Sequence, residues 1–194
     1  MSSIKQLFNK VRCRTRDAAF TLRMGAGFVG DVNRTHPASI APAQIYATTP
    51  PTAYGQPVVM NSGGAGVRPL ATGEQAFTEI FGITVRPYPT QQSSVGAGYP
   101  GSDSIQGVLG AGGIPPTSGV IDILHSGFIM VQVVGTPTPG APVYIWTSAS
   151  TGTHVQGGFE ATNPTSSGMA LDAGKTYFVG GADANGVAEL AFNL

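Results

Sequence analysis

Short apolar runs alternate with glycine- and proline-rich turns along most of this chain. From residue 25 onward the runs are rich in Val, Ile, Thr and aromatic side chains, a composition typical of strands. Turn sequences such as Thr-Pro-Pro-Thr at 49–52 and Gly-Thr-Pro-Thr-Pro-Gly at 135–140 separate the runs and exclude a continuous helix. The pattern predicts strands at residues 43–48, 57–60, 77–85, 120–124, 128–134, 143–147, 175–179 and 187–192.

The last two predicted strands are separated by Asp183-Ala184-Asn185-Gly186. An Asn-Gly step is a strong hairpin signal because both residues tolerate a positive φ. The C-terminal third is therefore predicted to be a meander of antiparallel strands. We predict a mainly β fold, an antiparallel β-barrel or sandwich.

The first residues follow a different pattern, with the period of a helix. Ile4, Leu7, Phe8 and Val11 fall at i, i+3, i+4 and i+7, the spacing of one helical face. Ser3 and Gln6 match a capping box in front of them. We predict a short basic amphipathic helix over about residues 4–16. A helix of this length is marginal alone, so we expect it to be ordered only when it is docked.

Composition and charge support this division into an arm and a body. The 194 residues include 28 glycines and 15 prolines, and only 10% are charged, which excludes a coiled coil or a helical bundle. Residues 1–23 hold six bases and one acid, whereas residues 24–194 hold four bases and nine acids. The body has too few cations to displace counterions from phosphates, whereas the basic arm could in principle do so. We expect no nucleic acid partner.

Compartment and membrane signals are weak. The single cysteine, Cys13, cannot form an intrachain disulfide, which fits assembly in a reducing cytoplasm. Charges interrupt the first 23 residues throughout, so they do not match a secretory signal. No apolar run is long enough to span a bilayer, and we expect no membrane partner.

A catalytic or metal site finds little support in the sequence. The three histidines, at 36, 125 and 154, are scattered, and no second ligand stands at metal spacing. Asp122, His125 and a serine could form a triad only in space, and there is no Gly-x-Ser-x-Gly elbow. The Gly-rich stretches at 63–66 and 110–113 lack the lysine of a phosphate-binding loop. We therefore predict that the protein is not an enzyme and uses no cofactor.

Two segments carry a family resemblance. Residues 37–60, PASIAPAQIYATTPPTAYGQPVVM, and residues 81–91, FGITVRPYPTQ, resemble the structural cement (capsid decoration) proteins of tailed bacteriophages. The second includes a Gly-Ile-x-Val-Arg strand. The resemblance covers about residues 25–194, so we divide the chain into a basic arm at 1–24 and one decoration domain at 25–194. That domain includes a long Gly-rich loop at 91–119.

The resemblance implies a non-enzymatic virion protein on the exterior of an HK97-like head, where it bridges adjacent capsomers. Its partners would be the major capsid protein and copies of itself, as a homotrimer or a dimer, after assembly in the host cytoplasm. On this hypothesis the arm binds the capsid: its apolar face fills a groove and its bases meet acidic surface. The predicted capsid-binding residues are Ile4, Lys5, Leu7, Phe8, Lys10, Val11, Arg12, Arg14 and Arg16.

Two other functions remain open at this point. A head-fibre or tail-associated module that binds host glycans would use exposed aromatic residues, for which Trp146, Tyr144 and Tyr88 are the candidates. A peripheral membrane protein would use the basic helix as its anchor. An enzyme is the weakest alternative.

Overall fold

The computed structural model describes residues 27–34, 36–74, 80–87 and 115–194. These ranges contain ten strands and one short 3₁₀ turn, Thr165–Ser167, which confirms the mainly β prediction. The predicted helix at 4–16 and all but the last residues of the loop at 91–119 lie outside the described ranges. The strands are β1 (Ser39–Gln44), β2 (Pro57–Met60), β3 (Val67–Pro69), β4 (Ile80–Thr84), β5 (Val120–Val134), β6 (Tyr144–Trp146), β7 (Phe159–Glu160), β8 (Gly168–Ala170), β9 (Tyr177–Phe178) and β10 (Val187–Phe192).

Strand β5 runs through the whole domain and joins its two halves. Its first half pairs antiparallel with β1 and β4, and its second half pairs antiparallel with β10. The sequence predicted two strands here, separated at Ser126-Gly127, which is wrong. Gly127 stays within the strand with φ +138°, and a Cβ atom there would lie 2.8 Å from the carbonyl oxygen of Pro37. The absence of a side chain at Gly127 lets the backbone of Pro37 pass close to β5.

The first half of the domain is a curled sheet with strand order β3-β2-β4-β5-β1. Its two edges meet only at a bridge between Ile45 and Val67, where the amide of Tyr46 donates to the Val67 carbonyl at 2.9 Å. No strand pairing continues this contact among the described residues, so the predicted barrel is not closed. Pro42 lies in β1 and lacks an N–H, which suits an edge strand. Inside the curl is a small apolar cluster of Ile45, Tyr54, Val58, Val67, Ile121 and Ile123.

The second half of the domain is not the antiparallel meander that the sequence predicts. Strand β7 pairs parallel with the end of β5, and β6 lies between β7 and β8, so the order is β5-β7-β6-β8. The described sheet is therefore mixed rather than wholly antiparallel. The larger apolar core is formed by these strands together with β9 and β10, and it extends to Val59, Ile83 and Leu124 of the first half. The fully buried members of that core with the largest side chains are Ile83, Leu124, Ile129, Ile145, Phe159, Phe178 and Leu190.

The predicted hairpin between the last two strands is present, but its turn differs. Strand β9 pairs antiparallel with β10, and the amide of Gly186 donates to the Asp183 carbonyl at 3.0 Å. Gly186 has φ +75°, whereas Asn185 is not among the described residues with a positive φ. The turn is therefore the three-residue kind that ends in one left-handed glycine. The Asp183 carboxylate accepts the amides of Asn185 and Val187, which fixes the bend.

Candidate functional site

The nine predicted capsid-binding residues, Ile4, Lys5, Leu7, Phe8, Lys10, Val11, Arg12, Arg14 and Arg16, lie outside the described ranges. The structure instead describes where the chain that follows them joins the body. We call residues 27–34 the arm root. Because these residues connect the body to the predicted arm, their attachment is the candidate functional site.

The backbone of the arm root is held between β5 and β4. The amide of Gly30 donates to the Met130 carbonyl at 2.7 Å, and the amide of Met130 donates to the Asp31 carbonyl at 2.9 Å. The amide of Arg86, just beyond β4, donates to the carbonyl of Gly30 at 2.8 Å. Because both backbone groups of Met130 are used here, the arm root follows one side of β5 while β10 follows the other. The arm root is therefore fixed to the backbone of β5 and to the residue that follows β4.

Two glycines allow this close approach. Gly30 has φ +88°, and a Cβ atom on it would lie 2.6 Å from the Cβ of Tyr54. Gly55 has φ +68°, and its Cβ would lie 2.6 Å from a methyl group of Val29 and 3.0 Å from the amide nitrogen of Gly30. A residue with a side chain would be strained at either position. The sequence analysis did not single out either glycine.

An ion pair fastens the far end of the arm root to β10. The guanidinium of Arg34 donates to both carboxylate oxygens of Glu189, each at 2.7 Å. The same guanidinium stacks over the Phe128 ring, 4.2 Å from its centroid. Bidentate geometry and the aromatic face together restrict the arginine to one position. Strands β5 and β10 therefore both hold residue 34.

A second arginine, Arg86, lies where the arm root meets β4. Its guanidinium stands over the ring of Phe28, 4.9 Å from the centroid, and Phe28 itself is 41% exposed. Burial raises the pKa of Asp31, and the positive charge of Arg86 offsets part of that rise. Burial also raises the pKa of Tyr54. Tyr54 and Arg86 both adjoin Gly30, since a Cβ atom on this glycine would lie 2.6 Å from the Cβ of Tyr54 and 3.2 Å from that of Arg86, and Asp31 is the next residue.

The aromatic candidates for glycan binding do not form an open platform. Trp146 is 9% exposed, its ring stacks on His154 with centroids 4.4 Å apart, and its indole N–H donates to the Ala149 carbonyl. Tyr144 precedes it on β6 and is half-buried, and Tyr88 lies outside the described residues. Stacked sugars need a free aromatic face, and His154 covers one face of this indole.

His154 also covers a buried carboxyl group. Its Nδ1 lies 2.8 Å from Oε1 of Glu160, whose side chain is 2% exposed. We expect His154→Ala to lower the free energy of unfolding by about 2–4 kcal/mol, because it strands a buried polar group and removes a stacked ring. Denaturant titration measures the change. The double variant His154→Ala/Glu160→Leu should recover most of the loss. Equal stabilities of the single variant and the wild type would contradict this account.

The structure does not assemble the triad that the sequence left open. Nδ1 of His125 lies 2.9 Å from the carbonyl oxygen of Phe81, and a carbonyl can only accept from it. Asp122 lies three residues earlier on β5 and is exposed, and none of the hydrogen bonds described for the His125 ring involves it. Within the described ranges no three His, Cys, Asp or Glu side chains are arranged to hold a metal ion. The same ranges contain no helix with the length and hydropathy to cross a bilayer.

Comparison with known proteins supplies the family context. The model of the family described as "Structural cement protein (E217 gp24/Pam3 gp6)" matches residues 17–193. A chain from the solved structure "The capsid of Myoviridae Phage XM1" has a similar fold, with a TM-score of 0.61 and 19% identity. The similarity covers 88% of this chain and 92% of that one. No curated protein sequence matches the chain.

Proposed function

Because the chain belongs to the structural cement protein family of bacteriophages, we propose that it decorates the exterior of an HK97-like head and bridges adjacent capsomers. The family is a structural one, and the fold is also found in a phage capsid. The protein is in this proposal a virion component that turns over no substrate. Its partners are the major capsid protein and further copies of itself, as a homotrimer or a dimer.

The attachment of the arm is the observation that carries the proposal. The arm root is held by backbone hydrogen bonds to Met130 and Arg86 and by the Arg34–Glu189 ion pair. A body fastened at this point can transmit force to an arm bound on a neighbouring molecule. The arm sequence supports such binding through its predicted apolar face and its bases, which complement an acidic groove.

The composition of the body fits a lattice of modest contacts. Few charges are present, so surfaces rich in Ser, Thr and Gly can pack closely without burying an unpaired ion. Each contact is weak alone, but one particle presents many copies, and linked contacts add to a large total stabilisation. Self-association in the same lattice would extend the bridge.

Shells assembled without this protein provide the test. We expect the added full-length protein to saturate them at a fixed number of copies and to raise the temperature at which they rupture. Occupancy follows from quantitative gel analysis of pelleted shells, and rupture from a dye that reports released DNA. Saturation without any gain in heat resistance would contradict the cementing role, and no binding would contradict decoration itself.

A further inference from the structure

The three arginines among the described residues differ in their partners. Arg34 is bidentate on Glu189, and Arg68 is bidentate on Glu74, where it holds the pKa of that carboxyl below its ordinary value. Arg86 has no ion pair within the described ranges. Its Nε and Nη1 atoms are shielded from solvent and have no hydrogen-bond partner. Two buried guanidinium nitrogens without acceptors lower stability, because their N–H groups have lost water without gaining another partner.

The described residues around Arg86 offer no hydrogen-bond acceptor to its Nε and Nη1 atoms. The aromatic face of Phe28 covers the guanidinium, and Asp31 lies near enough to feel its charge but not within 4.0 Å. Phe28 is 41% exposed and belongs to the arm root, so the cover is the part of the chain that leads into the arm. A partner that binds the arm would therefore meet the Phe28 ring and the Arg86 fork next.

We propose that Arg86 is a contact residue for the shell, and that the edge of its guanidinium, beside the ring of Phe28, donates to an acidic side chain of the capsid protein. This inference rests on the proposed function. The planar guanidinium offers parallel N–H donors that match a carboxylate, as the Arg34 and Arg68 pairs do within this chain. The partner charge has the same sign as the one that the basic arm requires, so one acidic surface serves both.

The substitution Arg86→Met separates a contact residue from a structural one. Methionine has a similar length and no polar atoms, so it fills the same space without the unsatisfied donors. We expect the melting temperature of the free protein to stay the same or to rise. We expect its apparent affinity for shells assembled without the protein to fall at least about tenfold, because the partner carboxylate would be buried on docking without the N–H donors of the guanidinium.

Arg34→Met is the matched control. Like Arg86→Met, it removes one positive charge and uncovers an aromatic ring, here that of Phe128. Arg34, however, is already paired with the carboxylate of Glu189. We expect it to lower the melting temperature and to change shell affinity much less than Arg86→Met does. The shell affinity of both variants is measured in the full chain by pelleting at two salt concentrations, and their melting temperatures are measured on the free proteins.

The outcomes distinguish this inference from the proposed function. If the wild type binds shells and Arg86→Met binds equally well, the inference is wrong and the proposed function stands. Equal losses for the two variants would show a general charge effect, and a large drop in the melting temperature of Arg86→Met would show a structural role; either overturns the inference. A changed oligomeric state of Arg86→Met by native mass spectrometry would assign the contact to a second copy, which also overturns it. If the wild type does not bind, both proposals fail.

Discussion

Deletion of residues 2–23 should abolish binding to shells and leave a folded body. The deletion removes all nine predicted contact residues but keeps the arm root, whose hydrogen bonds to Met130 and Arg86 involve residues 30 and 31. Both apolar clusters of the described body consist of residues from 32 onward, so its core is intact. We expect a cooperative melting transition close to that of the full chain, together with a loss of shell occupancy to background.

A full-length variant excludes a simple effect of length. Leu7→Asp/Phe8→Asp keeps every base of the arm and puts charge on the predicted apolar face. Its occupancy should fall nearly as far as that of the deletion, because burying a carboxylate in an apolar groove is unfavourable. Substitutions on the predicted polar face, such as Asn9→Ala, should have little effect. Undiminished occupancy of the truncated protein would refute the role of the arm.

The strands that the sequence predicted best are those whose local pattern and tertiary environment agree. Residues 57–60 match β2, and 187–192 match β10, because both are compact apolar runs bounded by turn residues. The run at 43–48 was placed too late, since β1 begins at Ser39 and includes Pro42, which sequence rules remove from a strand. An edge position tolerates that proline, and only the three-dimensional sheet defines the edge.

The strands that were missed have two or three residues each. Strands β3, β7 and β8 are too short to show any period, and they exist because a partner strand lies beside them. Glu160 is a clear example: a carboxyl in a two-residue strand, buried under His154, has no signature in the sequence. The parallel pairing of β5 with β7 is likewise a property of the packed chain.

The attachment site was missed for a related reason. Gly30 and Gly55 are 25 positions apart, and each is unremarkable among 28 glycines until the fold brings them together. Arg86 lies inside the sequence motif that carries the family resemblance. Its lack of an acceptor is a property of the folded chain, in which, among the described residues, Arg34 and Arg68 pair with carboxylates and Arg86 does not. The sequence predicts an N-terminal arm, whereas the structure describes how residues 27–34 are held against β4 and β5.

The tight contact at Gly30 should make Gly30→Ala one of the most destabilising single substitutions in the body. An L-residue at φ +88° is strained by about 1–2 kcal/mol. The new methyl group would also lie 2.6 Å from the Cβ of Tyr54, and such overpacking adds about 1–3 kcal/mol. We expect a total loss of about 2–5 kcal/mol in the free energy of unfolding, measured by denaturant titration.

Gly64→Ala separates the two causes of this loss. Gly64 has φ +66°, but a Cβ atom there would meet nothing within 4 Å, so it carries the backbone strain alone. We expect it to lose only about 1–2 kcal/mol. The difference between the two variants measures how tightly the arm root is packed against Tyr54. If Gly30→Ala were no more destabilising than Gly64→Ala, the arm root would not be seated between β4 and β5, and the attachment through which the body is proposed to bear load would be absent.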